Sequence, residues 1–223
     1  MLTPHDISIE KIDDDGLKEE LPELYRLRDV IQQNHWHNGT TVFAHSLAVM
    51  KRLQEITEKL PQKFTAQMSE RLGDYSWNDL LKLVALLHDI GKPETFAQFG
   101  DETKFPGHEA AGADKSRKIL EHIDLDKQEK EMVVELIRRH GDIHSIMSPE
   151  NPSREEQLAA LREQSPHRGL CLLLIGMADT LGSDLGTLHP EEFKSRIVFY
   201  RQELGLPRSD PNTTGRYTLS ATI

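Results

Sequence analysis

The stretch "LLHDIGKPETF", Leu86 to Phe96, ends a helix on a histidine and a carboxylate. Upstream, "WNDLLKLVALL" follows Ser76, which reads as an N-cap. Gly91 and Pro93 then stop the helix. The apolar stripe of an amphipathic helix recurs at i, i+3, i+4 and i+7. Leu81, Val84 and Ala85 fill that stripe, and His88 takes its next position. Asp89 follows about 100° around the axis. Because the helix ends there, both side chains can turn to one site. A His-Asp pair alone carries little weight: His5-Asp6 is another, in a polar leader.

The same anomaly recurs in three other helices. Val133, Leu136 and Ile137 lead to His140, just before Gly141. Leu172, Ile175 and Gly176 lead to Asp179. His45 has Val42 three residues before it and Val49 four after. Burying an unpartnered polar group costs several kcal/mol. One such residue is ordinarily satisfied by a local partner. Four in separate helices share a simpler cause, which is a common cation. His108 opens a further helix in "FPGHEAAGA", whose Ala110, Ala111, Gly112 and Ala113 allow a neighbour to approach closely. His35 and His37, in "NHWHNGTT", precede the helix of His45 and are candidates for the substrate side, with solvated loop as the alternative. His122, His144, His167 and His189 read as surface. Imidazoles and carboxylates without a thiolate suit Fe, Mn, Co, Ni or Zn, with Mg allowed. A single Asp with His on either side suggests two ions sharing it, which lowers the pKa of a shared water and clamps the oxygens of a phosphoryl displacement.

The chain as a whole narrows the setting. It has 223 residues and a formal net charge of −10, a balance that argues against broad contact with a nucleic-acid backbone. The one cysteine, Cys171, lies in the apolar run "LCLLLIGM" and reads as an inert core thiol. A lone cysteine and the lack of a basic-then-apolar leader fit a cytoplasmic protein. No run of eighteen apolar residues marks a membrane span. The periodicity predicts helices near 21–34, 41–60, 76–90, 108–123, 126–140, 155–182 with a break around Pro166, and 190–204. "FAQFGDETKFPGH" and "SPENPSREE" read as loops. The expected organisation is an all-α, single-domain helical bundle over 21–204. A loosely held polar leader (1–20) precedes it and an irregular tail (205–223) follows, in which "RYTLSATI" could pair as a strand.

The order His45 … His88-Asp89 … Asp179 resembles the signature of the HD-domain metal-dependent phosphohydrolases, and "HDIGKP" resembles a variant of its central motif. The added His108 and His140 resemble members that hold two metals. "FPGHEAAGA" and "VFAHSL" are similar to the HD domain of bacterial CCA-adding tRNA nucleotidyltransferases. The similarity covers roughly residues 35 to 184. The strand-based head of those enzymes is not expected upstream, so tRNA-end binding is not implied. The resemblance implies that His45, His88, Asp89 and Asp179 hold one divalent ion, and that Asp89, His108 and His140 hold a second. It places Lys92 near the substrate phosphate, which makes Asp89 and Lys92 the catalytic candidates. His35, His37 and Arg139 join Lys92 as substrate-binding candidates; in "RRH" the arginines read equally as a solvated basic face. The implied activity is hydrolysis of a phosphomonoester or phosphodiester of a small, nucleotide-like molecule by a metal-activated water. The alternatives are an HD-type di-iron oxygenase and a non-catalytic metal-containing sensor.

Overall fold

Capping chemistry fixes where the elements begin. The computed structural model describes residues 1–148 and 151–207. A short α1 (Ile9–Asp13) is capped by Ser8, which accepts from the Lys11 N–H. After α2 (Pro22–Tyr25) comes a 3-10 turn, then β1 (Ile31–Gln33) pairs antiparallel with β2 (Asn38–Thr41). Thr41 caps α3 (Val42–Thr57), and α4 (Gln62–Ser69) follows Pro61. A Ser76–Asp79 capping box starts α5 (Trp77–Leu87). A hairpin of β3 (Ala97–Phe99) and β4 (Glu102–Lys104) leads to α6 (His108–Ile119). An Asp126–Glu129 box starts α7 (Lys127–Arg139), followed by α8 (Asp142–Ile146). Then come α9 (Arg154–Gln164), α10 (Pro166–Gly182), α11 (Leu185–Leu188) and α12 (Pro190–Glu203).

The fold is all-α with two small hairpins. Its axis is α10, apolar on every side and therefore surrounded. Leu170, Cys171, Leu172, Leu174, Ile175 and Ala178 are buried, and α3, α5, α7, α8, α9 and α12 pack about them. Each fully buried leucine contributes roughly 1.5–3 kcal/mol, so this shell can offset several costly polar groups at its centre. No described helix is long and apolar enough to cross a membrane.

Several expectations change. The segment 1–20 is not loosely held: Ile7, Ile12 and Leu17 are buried in the core. Leu2 also donates to the His122 carbonyl and accepts from the Asp124 N–H. The helix expected at 21–34 is broken into α2, a turn and β1, where β-branched Val30 and Ile31 run into a hairpin that returns through Gly39 at φ 84°. The loop "FAQFGDETKF" contains the β3–β4 hairpin, turning at Gly100 with φ 61°. Helices α4 and α8 were not expected. Pro149, Glu150 and the tail beyond Pro207, including "RYTLSATI", lie outside the described residues.

One glycine contact positions the site. A Cβ on Gly91 would stand 2.3 Å from the Gly112 nitrogen and 2.4 Å from the His108 carbonyl oxygen. Only glycine lets α6 seat its first turn against the end of α5. Gly91→Ala is expected to cost at least ~2 kcal/mol in urea denaturation, because the obstructing atoms are backbone. Gly112→Ala, whose Cβ would meet Gly91 N at 3.3 Å, is expected to cost less. Equal, small losses would remove this packing from the account.

Candidate metal centre

Each histidine of the centre is aimed by a bond behind it. His88 is the C-cap of α5, and its Nδ1 lies 2.9 Å from the Ala85 carbonyl oxygen. His140 is the C-cap of α7, with Nδ1 2.7 Å from the Ile137 carbonyl. His108 opens α6, with Nδ1 2.9 Å from the Phe105 carbonyl. His45, in the first turn of α3, directs Nδ1 to the Gly182 carbonyl at 3.3 Å. A carbonyl only accepts, so Nδ1 carries a hydrogen in all four rings, and Nε2 keeps its lone pair whenever the ring is neutral.

Those lone pairs converge. His45 Nε2 and His88 Nε2 are 3.3 Å apart, as are His108 Nε2 and His140 Nε2. Asp89 lies between the two pairs and faces each with a different oxygen. Its Oδ2 is 3.2 Å from His88 Nε2 and 3.6 Å from His45 Nε2. Its Oδ1 is 3.3 Å from His108 Nε2 and 3.9 Å from His140 Nε2. Asp179 Oδ1 reaches His45 Nε2 at 2.9 Å. His45, His88 and Asp179 form one cluster, and Asp89, His108 and His140 another, with donor atoms in each within 4.8 Å of one another. Two acceptor nitrogens at 3.3 Å have no hydrogen to share, and a cation between them satisfies both. The residues therefore fit one or two divalent ions, and an imidazole–carboxylate set matches transition metals.

The electrostatics point the same way. Burial would raise the Asp89 carboxyl, but His88 and Lys92 overcome it and hold it well below the carboxylate range. Asp179 is likewise held low against burial by bonds from His144 and His45. Burial, then the charge of His88, pushes His140 down to about 3. Burial opposes charge on His88, yet Asp89 raises its pKa above the ordinary value.

Around the ions' place lies a cavity of about 520 Å³ lined by Trp36, His37, Lys92, Phe105, His144 and Asp179, among others. A second cavity of the same size, lined by Met50, Leu53 and Lys82, contains none of the six donors, and the chemistry selects the first. Lys92 is buried; its Nζ bonds Asp89 Oδ2 at 2.7 Å and Gln32 Oε1 at 2.6 Å. His37 is buried against the His45 ring, with centroids 4.5 Å apart, and burial followed by the charge of His45 lowers it to about 2. His35 is at the rim, paired with Glu192 at 2.7 Å and stacked on His189 at 3.8 Å. Arg139 does not join them. It turns to Asp142 at 2.8 Å and Glu135 at 3.9 Å, carboxylates three residues after and four before it. Arg138 pairs with Asp114.

His144, read as surface, lies in the cavity wall with Nε2 2.8 Å from Asp179 Oδ2. Its spacing of four from His140 was the available signal. Gln32 was missed, and nothing in its local sequence marks it. His167 is also more than surface, since it stacks on Trp77 at 4.7 Å.

A family model described as HD domain matches residues 42–179, more than half of the chain. The chain belongs to the HD-domain family. HD domains bind divalent metals and form a superfamily of metal-dependent phosphohydrolases, and this one has a His/Asp cluster able to hold a metal. It is 25% identical over 185 residues to the Multifunctional CCA protein of Vibrio cholerae serotype O1 (strain ATCC 39541 / Classical Ogawa 395 / O395), covering 81% of this chain and 40% of that protein. It is 26% identical over 132 residues to the Multifunctional CCA protein of Legionella pneumophila (strain Paris), covering 59% and 27%. It is 36% identical over 63 residues to the A-adding tRNA nucleotidyltransferase of Deinococcus radiodurans, covering 27% and 14%. This HD domain thus spans less than half the length of these relatives.

Proton and cation compete for the same nitrogen on His88. Because Asp89 raises its pKa, His88 stays protonated to higher pH, so ion affinity is present above that pKa and is lost as pH falls through it. Calorimetric titration with Zn²⁺ is expected to show affinity falling about tenfold per pH unit on the acid side. Affinity independent of pH from 8 to 5 would remove His88 from the ligand set.

Proposed function

We propose that the chain is a metal-dependent phosphohydrolase acting on a phosphomonoester or phosphodiester of a small, nucleotide-like molecule. The observation that carries this reading is Asp89, whose two oxygens face separate imidazole pairs while the Lys92 ammonium grips one of them. His45, His88, Asp89 and Asp179 would hold one ion, and Asp89, His108 and His140 the other. Divalent ions there lower the pKa of a water and neutralise charge gathering on phosphoryl oxygens. Lys92 has three hydrogens and spends two on Asp89 and Gln32. It keeps Asp89 ionised, and its third hydrogen can serve a phosphate oxygen in the cavity. His37 is neutral at physiological pH and lines the same cavity, so it can approach a phosphate without its own charge. His35 at the rim is a candidate for contacts further from phosphorus.

The acidic balance of the chain supports a small substrate over a long nucleic-acid backbone. A single buried cysteine suits a reducing, cytoplasmic setting.

The protein is to be stripped of metal and reloaded in turn with Mn, Co, Ni, Zn, Fe and Mg, then offered a panel of phosphate esters. Phosphate release without oxygen uptake is expected. Oxygen uptake with iron and no phosphate release would select the oxygenase reading instead. Asp89→Asn should retain the helical far-UV signal but lose metal and essentially all turnover. A variant that hydrolysed at the wild-type rate would end the proposal. Lys92→Met should keep its fold and lose about 10–100-fold in activity, as expected for a partner that orients a ligand.

A further inference from the structure

One part of the cavity wall is a loop tip held by several hydrogen bonds. In the turn Asn34–His37, the Asn34 N–H donates to the His37 carbonyl at 2.9 Å, and the His37 N–H returns to Asn34 at 3.3 Å. The Trp36 N–H donates to Asn34 Oδ1 at 2.9 Å. From the end of α10, the Asp184 N–H donates to the Trp36 carbonyl at 2.9 Å. Asp184 Oδ2 accepts from the Asn38 N–H at 3.0 Å and from Thr40 Oγ1 at 2.7 Å. The backbone on both sides of Trp36 is therefore tied down.

The indole itself touches two side chains. The Arg196 guanidinium lies over it, 4.8 Å from the ring centroid. Arg196 is buried, gives its Nε to Glu192 at 2.8 Å, and is absent from the cavity wall. Trp36 does line the cavity, which it shares with Asp89, His108, His140 and Asp179, and it is partly exposed. The His144 ring meets it at 4.9 Å, and His144 in turn bonds Asp179. Only one side chain therefore stands between the indole and a candidate ligand. Phe105, also in the cavity wall, is 8% exposed and has Lys92 over its ring at 5.3 Å. Trp36 is the open aromatic surface.

We infer that Trp36 is the platform on which the planar ring of the substrate stacks, making it the residue that selects nucleotides over phosphate esters without a ring. This rests on the phosphoester reading and adds the group that recognises the leaving moiety. A fixed, half-open indole next to a phosphate-sized polar centre matches a nucleoside monophosphate. The base takes the indole face, and stacking is tolerant of base identity because every base has a π-face.

The chain has two tryptophans, and Trp77 is buried in α5 outside the cavity wall, so an emission change on adding ligand reports Trp36. With the zinc-loaded 223-residue chain, the 2′-, 3′- and 5′-monophosphates of adenosine are titrated beside glycerol 2-phosphate. At least one nucleotide is expected to quench the emission saturably, and glycerol 2-phosphate is not. In Trp36→Leu, calorimetric affinity for that nucleotide should fall about tenfold. The ratio of kcat/KM for the nucleotide to that for glycerol 2-phosphate should fall by the same factor, and Trp36→Phe should restore most of both. No saturable quench, or a Leu variant that weakens both esters equally, would overturn the stacking role. If the wild type releases phosphate from no ester, the phosphohydrolase reading fails, and the quench and calorimetry still decide whether Trp36 binds a ring.

Discussion

Helix C-termini leave carbonyl oxygens without a backbone partner, and this chain uses them to aim imidazoles. At the ends of α5 and α7 the Ala85 and Ile137 carbonyls each accept from the Nδ1–H of a histidine three residues on, and Ile137 has besides only a 3.5 Å bond from the His140 N–H. His45 sits inside α3, where its own helix has no carbonyl to spare. It takes the Gly182 carbonyl at the end of α10 instead. His108 uses the Phe105 carbonyl ahead of its helix. One constraint thus does two things: it closes helix ends, and it leaves four Nε2 lone pairs pointing inward. A greasy helix ends on His88 because the ring finishes the helix and faces the ion.

The rest of the centre manages the charge that this arrangement implies. Four acceptor nitrogens and two carboxylates in one interior would cost several kcal/mol without cations. Lys92 supplies one positive charge, fixed between Asp89 and Gln32. A single ammonium cannot answer two carboxylates and four lone pairs, so the set is built for further positive charge. The leucine-rich α10 carries Asp179 directly after its buried apolar run Leu170–Ala178 and packs that run against α3 and α5. Glycine at 91 then lets His108 close the second half of the centre. Packing and chemistry are coupled here, because the contact that seats α6 also places a donor.

What could be read from the sequence follows the same division. The stripe positions taken by His45, His88, His140 and Asp179 were visible because long helices keep a period. The all-α class and the ends of α5 and α7 came from capping residues and glycines. The hairpins were not legible. Their strands have three or four residues, too few to alternate, and Gln33 is joined to Thr103 by a bond that spans 70 positions. His144 was lost because α8 starts a new helix after Gly141, which breaks the phase from His140, and because its partner Asp179 lies 35 residues away. Arg139 could have been read correctly from its own neighbours: Glu135 and Asp142 flank it at helical spacing. The N-terminal segment hid its buried Ile7, Ile12 and Leu17 among acidic residues, five apart and without a helical period.

The six donors and the turn beside them have different origins in the chain. All six donors fall within residues 42–179 of the family match. The hairpin that presents His35, Trp36 and His37 ends as that match begins, and Arg196 and Asp184, which brace it, lie beyond its end. Helix termini fix the ions with short local bonds that leave little freedom for variation. One side of the cavity wall is the turn Asn34–His37, held from outside the match by Asp184 and Arg196 through long-range contacts, and its side chains can change without moving a donor. Membership of the family therefore speaks to the metal chemistry. The turn that carries Trp36 lies outside the match, so what it adds to the cavity is not given by family membership.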